Sequence, residues 1–125
     1  MVHVSRDLFE RWVAEALDAL PEDIARYVDN VEVVVQWWPT REQLRRAGLP
    51  PNGLLLGLYE GVPLTRRGIA YGLVPPDKIT LFQGPLEQVS WDVDDLRRRV
   101  RHTLIHELAH HFGISDERLR ELGAY

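Results

Sequence analysis

His106-Glu107-Leu108-Ala109-His110 decides how this chain is read. The stretch has the form H-E-x-x-H inside a segment of helical periodicity. Residues four apart on an α-helix lie one above the other on one face. Two imidazoles so placed can hold one Zn²⁺ at about 2.0–2.1 Å each. Glu107 follows the first histidine, so its carboxylate lies near the metal without ligating it and can take a proton from a metal-bound water. The pattern continues through Gly113 and Asp116, giving H-E-x-x-H-x-x-G-x-x-D. The bland alternative is a surface helix with two solubilising histidines and a glutamate. A chance match to the whole pattern is about one in ten thousand shuffled chains, which favours a metal site.

Upstream, Asp92, or Ser90 before it, opens this longest helix, and Leu96, Val100, Thr103, Leu104 and Leu108 mark its core side. Gly113 stops it, because glycine adopts the left-handed conformation that closes helices. Ser115 or Asp116 then caps a short last helix that buries Leu119 and Leu122. At the other end, Ser5 caps a first helix in which Leu8, Phe9, Trp12, Val13, Ala16, Leu17 and Leu20 recur at helical spacing, ending at Pro21. Ile24 to Val28 reads as a short helical turn. Val31 to Trp37 reads as a strand with Val31, Val33 and Val35 on one face, stopped by Pro39. Thr40 caps a short helix through Arg46, closed by Gly48 and Pro50-Pro51. Leu54 to Glu60 is a second strand, 62–76 a loop by composition with a brief strand at Ile69-Ala70-Tyr71, and Lys78 to Gln83 a third strand ended by Gly84-Pro85. The order implies an α+β domain spanning 1–125, a small mixed sheet packed against helices that include the metal-binding one.

Composition narrows the chemistry. At 125 residues, 45% apolar and 27% charged, the chain fits one ordinary globular core. It has no cysteine, so a metal must be held by histidine and carboxylate. A net charge of −4 gives no case for nucleic-acid binding. No apolar run approaches the roughly 18 residues of a membrane span, and no signal sequence is evident, so a cytoplasmic location is expected. The basic run Arg97-Arg98-Arg99 with Arg101 reads as a solvated helix face, with a phosphate-bearing partner as the minority reading.

Catalytic zinc normally takes three protein ligands and keeps one position for water. The turn at Gly113 lets the chain swing back under the metal, and Asp116 is the first hard oxygen ligand in reach. The competing reading of Asp116 is a helix cap; the ligand reading is favoured, because Ser115 could take the capping role instead. With two histidines and one aspartate the bound water would approach a pKa of about 7, against about 15.7 in bulk. Glu107 would accept its proton and return it to a leaving amine, which is amide hydrolysis. His102, one turn before His106, reads as an exposed neighbour, since a straight helix cannot put three histidines of one file on one ion. His111 points about 100° away from His110 and reads as a packed or hydrogen-bonded residue, with support of the ligands as the alternative. Trp37-Trp38 read as core or rim rather than substrate pocket. Tyr71 and Tyr125 are candidate oxyanion donors that nothing in the sequence separates.

His106 to Asp116 resembles the extended signature of zinc peptidases in the variant with aspartate as third ligand. With Gly57-Leu58-Tyr59-Glu60-Gly61, Ile79-Thr80-Leu81-Phe82, Thr103-Leu104-Ile105, Gly123 and Tyr125, the chain is similar to the small bacterial zincin-like metallopeptidases. The resemblance implies a zincin-like fold, Zn²⁺ on His106, His110 and Asp116, and Glu107 as general base. It also implies that the strand at Lys78 to Gln83 pairs with an extended peptide. The chain departs from the metzincins, whose Met-turn lies beneath the metal, because its one methionine is Met1.

Two functions compete. One is a zinc peptidase acting on a peptide or protein substrate, favoured by a base beside the metal. The other is a non-catalytic, zinc-stabilised module that binds a protein partner, favoured by a chain too short for elaborate subsites.

Overall fold

Ser5 opens helix α1 (Arg6–Asp18), its hydroxyl accepting from the Leu8 N–H at 3.1 Å, and the apolar stripe behind it buries Phe9, Trp12, Val13 and Ala16. The computed structural model describes residues 2–26, 28, 30–61 and 77–121. The expected strand at Ile69-Ala70-Tyr71, the loop around it, Leu122, Gly123 and Tyr125 lie outside these residues. A short α2 (Glu22–Ala25) buries Ile24. Strand β1 (Val31–Gln36) ends one residue before Trp37, and Val31, Val33 and Val35 do pack on the core. Helix α3 (Arg41–Arg46) carries a reciprocal cap between Thr40 and Gln43.

Strand β2 (Gly57–Glu60) is shorter than the Leu54 start the composition suggests; Leu54 itself is 52% exposed. Strand β3 (Asp77–Phe82) begins and ends one residue earlier than expected, because Gln83 already belongs to a helix, α4 (Gln83–Val89). That helix is absent from the sequence reading, where Gly84-Pro85 counts as a stop. Both residues sit in its first turn, where a missing N–H costs nothing and the fixed φ of proline suits the helix. Burial compensates for its poor propensity: Leu86 is fully buried, and the buried Glu87 carboxylate accepts the Val4 N–H at 2.9 Å. Helix α5 (Val93–His111) follows, capped by Asp92, which accepts from Asp95 N–H at 2.8 Å. Asp95 in turn takes the Trp91 N–H at 2.9 Å; that bond and then Arg99 hold its carboxyl below the usual range. Helix α6 (Asp116–Glu121) completes the described chain.

The sheet is mixed, ordered β1-β3-β2, with β1 parallel and β2 antiparallel to β3. β3 is therefore central, hydrogen-bonded on both sides. An extended peptide has no free edge there, which corrects the pairing implied by the resemblance. Leu96, Val100, Leu104 and Leu108 of α5 are fully buried against α1 and the sheet residues Ile79 and Leu81. Each such side chain stabilises by about 1.5–3 kcal/mol, so the core clamps α5 in rotation and fixes which face looks outward. The architecture is α+β. No helix among the described residues is long and apolar enough to cross a membrane.

Candidate metal centre

With its apolar face committed to the core, α5 turns His106 and His110 to the other side. Their rings lie 4.0 Å apart between centroids, tilted by 48°. The helix ends in a Schellman motif. Phe112 is the cap, Gly113 has φ +70°, Ile114 N–H reaches Ala109 C=O at 2.8 Å, and Gly113 N–H reaches His110 C=O at 3.4 Å. The chain reverses here, as the glycine predicted. Ser115 then takes the capping role for α6, its hydroxyl accepting from Arg118 N–H at 3.1 Å. Asp116 is left with its carboxylate turned to the histidines: Oδ1 lies 3.9 Å from His106 Nδ1.

His106, His110 and Asp116 each offer a ligand atom, and these atoms all lie within 4.8 Å of one another. His106 Nδ1 and Asp116 Oδ1 are buried and have no hydrogen-bond partner. A buried polar atom left unpaired costs about 1–3 kcal/mol, so two facing each other mark a place for a third group. Two imidazoles and a carboxylate are a donor set suited to a divalent metal. Burial, then His110 and His102, push the His106 pKa down against the pull of Asp116, a shift that favours the neutral imidazole a metal ligand must be. These residues fit a metal ion.

Glu107 projects from α5 towards β2. Burial raises its pKa, opposed by His110 and by a hydrogen bond from the Tyr59 backbone N–H. The two elements meet closely because residue 57 is glycine: a Cβ there would stand 2.9 Å from Thr103 Cγ2 and 3.4 Å from Glu107 Cγ.

The profile of the family described as Zincin-like metallopeptidase matches residues 28–124. The chain belongs to this family. Membership implies a metal-dependent hydrolase and accounts for the small mixed sheet laid along the H-E-x-x-H helix of this zincin-like chain. A search of curated proteins gave no match.

The other singled-out residues fall at varied distances from the zincin-like centre. His102 is exposed and stacks on His106 at 5.6 Å, outside the group of converging ligand atoms. His111 lies on the opposite flank. It stacks on Tyr59 at 3.7 Å, and its Nε2 is 3.7 Å from Asp77 Oδ2, which also accepts the Tyr59 hydroxyl at 2.8 Å. This cluster steadies the strand that faces Glu107, and the sequence reading misses Tyr59 and Asp77 in it. A glycine inside a strand was the available signal for close approach at Gly57. Trp38 covers Gly84, and Trp37 lies under the Arg6 guanidinium at 4.8 Å, so the pair forms a rim. Arg97 pairs with Glu15 at 2.6 Å and Arg99 with Asp95 at 3.0 Å. Tyr71 and Tyr125 lie outside the described residues.

Proposed function

We propose that the protein is a zinc-dependent peptidase, with His106, His110 and Asp116 as ligands and Glu107 as general base. The observation that carries this is the facing pair of buried, unpartnered atoms, His106 Nδ1 and Asp116 Oδ1, beside His110. Zn²⁺ bound there supplies Lewis acidity for the scissile carbonyl and for water. Glu107 takes the proton from the attacking water at its carboxylate and delivers it to the leaving amine. Burial supports that role, since a carboxylate of raised pKa is a better base near neutral pH. The Tyr59 N–H orients the carboxylate. A substrate peptide would lie extended along β2, beside Glu107, a strand that among the described residues is paired on one side only.

The test is a broad peptide-library digest with wild type and Glu107→Gln side by side, zinc content measured in both. The variant keeps shape and loses basicity, so it retains zinc and loses cleavage. Cleavage that survives in Glu107→Gln would remove the residue from the mechanism. Zinc-loaded wild type that cleaves nothing would favour the non-catalytic, partner-binding module.

A further inference from the structure

Far from Glu107, the other edge of the sheet carries a pattern of its own. Asp77 N–H donates to Asn30 C=O, so in the parallel ladder Asn30, Glu32, Val34 and Gln36 turn their backbone groups to β3. Val31, Val33 and Val35 therefore turn theirs outward, and among the described residues no strand pairs with that edge. Two of the outward groups are used within the chain. Val31 N–H donates to Val28 C=O at 3.1 Å, and Val35 C=O accepts from Arg6 Nη1 at 3.0 Å. The free groups are Val33 N–H, Val33 C=O, Val31 C=O and Val35 N–H. Beside them runs an open groove of about 430 Å³ between α1 and β1, walled by Val13, Ala14 and Leu17.

This free set is self-complementary. A two-fold axis through Val33, with antiparallel strands, pairs Val33 N–H with the C=O of the partner's Val33, and Val35 N–H with the C=O of the partner's Val31. Symmetry repeats both bonds. Val31 N–H and Val35 C=O, the groups already satisfied within the chain, are the two that would otherwise bond each other across this pairing, so their use leaves neither copy with an unmatched group. Across the same axis Glu32 faces the partner's Val34, so no like charges meet. We propose that β1 is a dimerisation edge, on which a second copy of this chain adds its own β1 to form one continuous sheet. A strand of another protein would need no such symmetry in the free groups.

Sedimentation of the full chain from about 5 to about 500 μM tests this. The expected species has twice the 14.5 kDa chain mass. Val33→Pro removes an N–H that β3 does not use, as an edge strand tolerates, and should shift the chain to monomer with zinc content unchanged. If that variant fails to fold, Glu32→Cys with Val34→Cys decides. Positions 32 and 34 of the two strands form a non-hydrogen-bonded pair with Cα atoms about 4.5 Å apart, within disulfide range. The chain has no other cysteine, so oxidation should yield a covalent dimer. A wild type monomeric throughout, a Val33→Pro variant still dimeric, or a cysteine pair that does not cross-link would each overturn the proposal.

Discussion

His106 Nδ1 and Asp116 Oδ1 face each other at 3.9 Å across the turn that ends α5, and neither has a hydrogen-bond partner. Because Ser115 supplies the cap of α6, removing the Asp116 carboxylate costs the fold only its interaction with the helix N-terminus, about 0.3–1 kcal/mol. Asp116→Ala should therefore melt close to wild type without metal and bind zinc far more weakly. Competition against a chromogenic chelator measures this, and equal zinc affinity in the two proteins would remove Asp116 from the ligand set.

Gly113 sets the angle at which Asp116 arrives. A Cβ there meets nothing within 4 Å, so substitution acts only through the backbone at φ +70°. Gly113→Ala should cost about 1–2 kcal/mol and, by loosening the reversal, weaken zinc as well. Gly113→Asn, which tolerates the left-handed region better, should recover most of both. Thermal melts and zinc titration of the two variants give the answer; equal behaviour of Ala and Asn would mean the turn is not what holds Asp116.

Much of this is legible in the sequence, where a single helix carries its own signals. Asp92, the stripe from Leu96 to Leu108, and Gly113 define α5 without help from the rest of the chain. The neighbours of that helix are less legible. α4 hides behind Gly84-Pro85, a pair that signals a stop unless tertiary burial of Leu86 and Glu87 outweighs local propensity. That β3 is central, not an edge, depends on which strands pair with it, and its alternation does not encode that. The Tyr59–Asp77–His111 cluster joins residues from two strands and a helix, so no local spacing announces it.

Gly57 is the contact through which β2 and α5 share the site. Gly57→Ala would bring a Cβ to 2.9 Å from Thr103 Cγ2, closer than such atoms pack. Overpacking of this kind costs about 1–3 kcal/mol, and pushing the elements apart would also separate Tyr59 N–H from Glu107. Thr103→Ser deletes the opposing methyl. The double variant Gly57→Ala/Thr103→Ser should regain a large part of the lost stability, a coupling read from a double-mutant cycle of melting curves. Simple additivity would show that the two residues do not press on each other.

Proton linkage gives the last prediction, made for metal-free protein so that zinc does not compete for the same nitrogen. Burial and the neighbouring His110 and His102 hold the His106 pKa below its ordinary 6.5. Just below that pH the unfolded chain binds a proton that the native state refuses, so stability falls as pH falls through this window. Glu107 has the opposite sign: burial holds its pKa above the ordinary 4.5, the native state keeps its proton longer, and acidification stabilises. The two contributions oppose each other where their windows overlap, and single variants separate them. His106→Gln should flatten the loss of melting temperature on acidification, and Glu107→Gln should steepen it. A His106→Gln profile parallel to wild type between about pH 7.5 and pH 5 would mean that His106 is as easily charged in the folded chain as in the unfolded one.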